Sequence, residues 1–144
     1  MRWKVSLFTA CAPWVSLDLL APICAKAGLQ GLDLAVKEHA FDPAKPINYW
    51  GNNAAGVNLA NLETDLLQIQ NILTTTGLAC PVLCSYLQAT EVEKIRRLAQ
   101  AAKILGVPMV RVWSPGPRSG QVRNQVEETR AQWQGDSKVP TTLY

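Results

Sequence analysis

Residues 101–117, AAKILGVPMVRVWSPGP, read as the end of an amphipathic helix, a glycine stop, a strand over 108–113 and a Pro/Gly turn. Gly106 can take positive φ without a Cβ clash, so it ends a helix at little cost. The strand is β-branched and mostly apolar, which predicts burial, yet it carries Arg111 two residues before Trp113. Strand alternation puts Met109, Arg111 and Trp113 on one face and Val110 and Val112 on the other. A guanidinium in such a run needs a partner, a ligand or water.

Working outward, the same unit recurs twice upstream. A helix stop and a hydrophobic residue stand at Gly28-Leu29 and Gly77-Leu78, as at Gly106-Val107. The first helix is expected over 16–27, with Ser16 as its cap and Leu19, Leu20, Ile23, Cys24 and Ala27 as its inner face. The second, over 61–76, carries Leu62, Leu66, Ile69 and Leu73 on one stripe. Thr90 and Glu93 form a capping-box pattern ahead of the third, whose inner face is Val92, Ile95, Leu98, Ala99, Ala102 and Leu105. Strands are expected over 5–9, 31–36, 81–87 and 108–113. Alternation of strands and helices through short joints predicts an α/β fold with a parallel sheet and right-handed crossovers.

Two segments stand outside this rhythm. Residues 37–60 hold prolines, glycines, asparagines and the adjacent Tyr49-Trp50, so they read as a long loop, which in a compact domain is functional or disordered. Aromatics among asparagines favour a ligand-binding loop, since they combine apolar area with hydrogen bonding. Residues 118–144 are weakly patterned, with one candidate helix over 119–134. The division is therefore a βα domain over 1–117 and a C-terminal segment over 118–144.

The totals fit one domain. The chain has 144 residues, is 48% apolar and 17% charged, and carries a net charge of +3. Its basic residues are scattered, which argues against nucleic acid as a partner. No apolar run approaches the roughly 20 residues of a membrane span. MRWK followed by VSLFTACA imitates a short signal peptide, but the apolar part is brief and runs straight into a helical pattern, so a first buried strand is the preferred reading. Cys11, Cys24, Cys80 and Cys84 form no C-x-x-C pair, and Cys80 and Cys84 stand too far apart along a strand to bridge. Reduced thiols and a cytoplasmic location are expected.

The succession KVSLFT, AKAGLQGLDLAV, TTTGLACPVLCSYL and LAQAAKILGVPMVRVWSPG resembles the first half of the xylose isomerase-like TIM barrel superfamily. That superfamily includes sugar and sugar-phosphate isomerases and epimerases. The resemblance runs from about Lys4 to Gly116 and implies an open (βα)4 half of a TIM barrel. It implies metal-dependent proton transfer between adjacent carbons of a sugar or polyol. In a full-length relative a divalent metal (Mn, Mg, Co or Zn) sits on acidic residues and a histidine of the later strands. The terminal KVPTTLY has no counterpart of the fifth-strand glutamate, and a TIM barrel takes about 250 residues. The expectation is a fragment with no metal site or cofactor of its own and no activity alone. The alternative is a non-catalytic half-barrel that forms a homodimer through its open sheet edge, or binds a small polyol.

Several residues are candidates for a site. Glu38 and His39 follow the second strand, at the ligand-facing end of a parallel fold, where they either contact a sugar hydroxyl and assist proton transfer or are a solvated loop pair. Asp33 and Arg111 share a sheet face and are candidates to pair with each other or to orient substrate. Trp14, Trp113 and Tyr86, at strand ends, are either apolar walls for a sugar's C–H face or ordinary packing. Glu91 and Glu93, at a helix start, read as capping residues rather than a catalytic pair. Residues 116–120, GPRSG, lack the lysine and spacing of a phosphate loop.

Overall fold

The structure, a computed structural model, describes residues 4–49 and 51–113. The helix expected over 119–134, the rest of the C-terminal segment and Trp50 lie outside the described residues. Within them the chain runs β1 (Ser6–Phe8), α1 (Leu17–Lys26), β2 (Gly31–Lys37), β3 (Val57–Asn58), α2 (Leu62–Thr76), β4 (Val82–Gln88), α3 (Val92–Leu105) and β5 (Met109–Trp113). All strand pairings are parallel, in the order β1-β2-β4-β5, with the short β3 also pairing with β2. The α/β reading and the parallel sheet hold. β3 was not expected, because two residues are too few to show a period.

The glycine stops behave as the sequence predicts. Gly77 and Gly106 close α2 and α3 at φ of +68° and +69°. Leu62, Leu66, Ile69 and Leu73 are all buried along α2. Helix α1 packs on α2 and α2 on α3, so the helices form one layer in chain order. Between that layer and the sheet lie Leu32, Leu34, Leu83 and Leu98, each fully buried.

Three expectations need correction. The inner face of α1 is Leu20, Ala21 and Cys24, while Leu19 and Ile23 are each 60% exposed. Sequence spacing allowed two overlapping stripes, and packing on α2 selects the one that includes small Ala21. The cap of α3 is Glu91 rather than Thr90. The Glu91 carboxylate accepts the Gln88 N–H at 2.7 Å, and Glu93 is taken by Arg96. Finally, β5 is not a buried strand. It pairs only with β4 among the described strands, and Met109, Arg111 and Trp113 are exposed while Val110 and Val112 are half-buried. The alternation was right; the apolar composition did not reveal the edge position.

Ser16 does stand at the start of α1, but its side chain makes no cap bond; its carbonyl receives the first helical N–H groups from Leu19 and Leu20. The buried face of α3 is Ile95, Leu98, Ala101 and Ala102, with Val92, Ala99 and Leu105 at its half-buried margin.

Candidate functional site

Parallel strands with intervening helices place the functional loops beyond the strands' C-terminal ends. Three features of this sheet fix the side chains there. First, Thr9 ends β1 in a short 3-10 turn, and its buried hydroxyl accepts the Ala35 N–H at 2.9 Å. That bond locks β1 against β2 and sets Phe8 beside Asp33 in register. Second, β4 bulges: Cys84 pairs with Arg111, but Gln88 pairs with Trp113. The Ser85 hydroxyl donates to the Arg111 carbonyl at 2.7 Å and satisfies the displaced edge. Third, β2 extends to Lys37, one alternation beyond Asp33 and Ala35.

By this register Phe8, Asp33, Cys84 and Arg111 share one sheet face, opposite Leu32, Leu34 and Leu83. The Arg111 guanidinium lies 5.5 Å from the Phe8 ring centre and 5.2 Å from that of Tyr86. Tyr86 in turn leans on Trp113 at 6.2 Å, and Tyr49 meets Phe8 edge-on at 5.8 Å. A hydrogen bond joins the Tyr49 and Tyr86 side chains. Burial, then the neighbouring Tyr86 and Cys11, push the Tyr49 phenol above its ordinary value, with Arg111 opposing. Cation–π contact with two rings holds a guanidinium in place while leaving its N–H edges available.

The expected Asp33–Arg111 ion pair does not form among the described residues. Strand β4 stands between their strands, and the Asp33 Oδ1 is buried with no hydrogen-bond partner. Cys84 lies between them; burial pushes its thiol up, Arg111 pulls it down and Asp33 pushes it up. Trp14 is 67% exposed, beyond the turn after β1, and takes no part in the ring cluster described above.

Glu38 and His39 open the loop over 38–56 and line a cavity of about 380 Å³ with Lys37, Asp42, Asn52 and Tyr86. Tyr86 thus borders both this cavity and the Arg111 cluster. The loop is ordered by Asn52, whose side-chain amide donates to the carbonyls of Asp42 at 2.9 Å and Lys45 at 3.1 Å, while its Oδ1 accepts the Asp42 N–H at 2.8 Å. Lys37 is buried, donates to the Asn53 carbonyl and lies over Phe41. Burial holds its ammonium below the ordinary range, with Asp65 opposing. Glu38 is committed to Lys94 at 2.8 Å. Hydrogen bonds from Lys94 to Glu38 and Glu91 push that ammonium up to about 12.

Sequence reasoning named Tyr86, Arg111 and Trp113, which the fold brings together, and Glu38 and His39, which line the cavity. It missed Phe8, Lys37 and Asn52 as site residues. Phe8 already stood within the expected first strand, and the second strand's period carried one residue further would have reached Lys37; Asn52 acts through bonds that only the folded loop reveals.

The described residues do not assemble a divalent-metal site. Among the described residues no three His, Cys, Asp or Glu side chains converge. Glu38 is paired with Lys94 and Asp42 with Lys45. The four cysteines are free thiols, three of them buried, with Cys80 pushed up to about 11 by burial. No helix among the described residues is long and apolar enough to cross a membrane. No protein-family model matches the chain, and no curated protein matches it.

Proposed function

We propose that this chain is a βα unit of the sugar and polyol isomerase or epimerase type, and that its described residues supply ligand binding rather than the metal chemistry. The observation that carries the reading is the ring cluster of Phe8, Tyr86 and Trp113 about Arg111 at the strand C-terminal ends, which through Tyr86 adjoins a cavity bordered by Glu38 and His39. Rings offer a flat apolar surface to the C–H face of a sugar, and a few polar groups fix its hydroxyls. Strand order supports the winding of a barrel: β1, β2, β4 and β5 follow one another without the reversal that marks a doubly wound sheet. In a half-barrel of this kind that face would point to the lumen.

Within this reading, Tyr86 packs on the ligand, His39 and Glu38 meet its hydroxyls, and Asn52 keeps the loop over them shaped. Protein-detected NMR with a series of pentoses, hexoses and their polyols tests it. Shifts confined to the neighbourhood of Phe8, His39, Tyr86 and Trp113 are expected, and Tyr86→Ala should weaken binding by about tenfold, the loss of roughly 1.4 kcal/mol of stacking. Absence of any such shifts refutes the reading.

Binding without turnover is the second expectation, because the described residues gather no metal-holding set. The purified chain incubated with ketose and Mn, Mg, Co or Zn should leave the sugar unchanged by chromatography. Turnover that a chelator abolishes overturns this part.

A further inference from the structure

We propose that the cavity beside Tyr86 captures a small apolar aldehyde as an imine on the Lys37 amine. This capture is independent of polyol binding, which makes no use of the Lys37 nitrogen.

The cavity has two kinds of wall. Val36, Lys37, Leu59 and Leu87 are its buried liners, while Glu38 and His39 are exposed. Lys37 is thus a primary amine set among apolar side chains, at 7% exposure, and it forms no ion pair among the described residues. The other cavity lysine, Lys45, is paired with Asp42 at 3.4 Å. The Lys37 stem is fixed as well: a Cβ on Gly56 would come within 3.2 Å of its Cδ, so only glycine leaves it that room. Burial holds the ammonium below its ordinary range, with Asp65 opposing, which raises the share of neutral amine. Lys94 shows the contrast, held up to about 12 by Glu38 and Glu91.

The nitrogen's two contacts suit the product. Lys37 donates to the Asn53 carbonyl, and its Nζ lies 5.6 Å from the Phe41 ring centre. In the neutral amine one N–H keeps the Asn53 bond and the lone pair is left for attack. That pair forms the C–N bond at the aldehyde carbon, and the carbonyl π electrons pass to oxygen. The oxygen then leaves as water, carrying the two protons lost from nitrogen, so amine and aldehyde give imine and water with no oxidant or reductant. A protonated imine regains one N–H for the Asn53 carbonyl, and its charge faces the Phe41 ring. The cavity's apolar liners receive the body of the aldehyde.

Butanal with cyanoborohydride at neutral pH provides the test, since hydride delivered to the imine carbon leaves a stable butyl amine. Peptide mass mapping of the full chain at intervals should find Lys37 labelled at least about tenfold faster than Lys94, the equivalent of one pKa unit. The Lys37 rate should saturate as butanal is raised, and in urea the two lysines should label alike. Lys37→Arg, which keeps a cation but offers no imine-forming amine, should lose the fast adduct while its circular dichroism stays native. Should that variant fail to fold, the wild-type map decides alone. Labelling of Lys37 no faster than Lys94 overturns the proposal, as does a rate that rises linearly with butanal, because no cavity then binds the aldehyde first. A fast adduct that persists in Lys37→Arg overturns it too, by assigning the reaction to another amine. Polyol-induced NMR shifts without Lys37 labelling would sink the capture and leave the polyol reading standing; labelling without those shifts would do the reverse.

Discussion

Cys80, 8% exposed just before β4, binds its proton more firmly than an ordinary thiol, because burial lifts it from 9.0 to about 11. In the unfolded chain this thiol ionises near 9, while in the folded protein it stays neutral to about 11. Between those values the unfolded state binds fewer protons, so stability falls as pH rises. Cys24 and Cys84 are raised by burial as well and act with the same sign. The Cys80 contribution amounts to about 2–3 kcal/mol once pH exceeds both values. Lys37 opposes it: its depressed ammonium makes the folded state gain stability as pH climbs toward 10.5. Comparison of variants therefore separates what the wild-type curve combines. Urea denaturation of wild type and Cys80→Ala should show a shallower alkaline decline in the variant. Parallel declines would mean that Cys80 is not the group responsible.

At the scale of elements, the glycine stops carry the clearest consequence. A Cβ on Gly106 would meet nothing within 4 Å, so any cost of adding one is a backbone cost, set by φ of +69°. Gly106→Ala should lower stability by about 1–2 kcal/mol with an unchanged urea slope; an unchanged midpoint would show that α3 can end elsewhere. This part of the fold was legible in the sequence because its cause is local: a left-handed residue leaves a glycine wherever it occurs. The stripe of α2 was legible for the same reason. The exposure of β5 was not, since Val110 and Val112 look alike at a centre and at an edge. Neither was the fate of Asp33 and Arg111. Alternation correctly placed them on one face, but only strand order reveals that β4 separates them, and only the register of β1 brings Phe8 to the guanidinium. The loop's tyrosine and asparagines were visible as ligand-type residues, whereas the bonds by which Asn52 shapes the loop join it to Asp42 and Lys45, ten and seven residues away.

The described residues form a parallel sheet backed by one helical layer, and their stability should reside in that interface. Leu83 is fully buried in β4, with Leu34 and Val110 as its register partners on either side. Truncating it removes contacts in the middle of the sheet, where the strands on both sides are held by the same ladder. Leu83→Ala should therefore cost about 2–5 kcal/mol, a large share of the 5–15 kcal/mol typical of a domain. Leu67 on α2, at 75% exposure, is the natural control, and Leu67→Ala should change stability by less than about 0.5 kcal/mol. If the βα units fold as one body, tryptophan fluorescence and far-ultraviolet circular dichroism will shift together in Leu83→Ala and keep a common midpoint. Divergence of the two probes would show that the units on either side of β4 unfold separately. The one-core arrangement would then fail, and with it the rigid register that brings Phe8 and Arg111 together across the sheet.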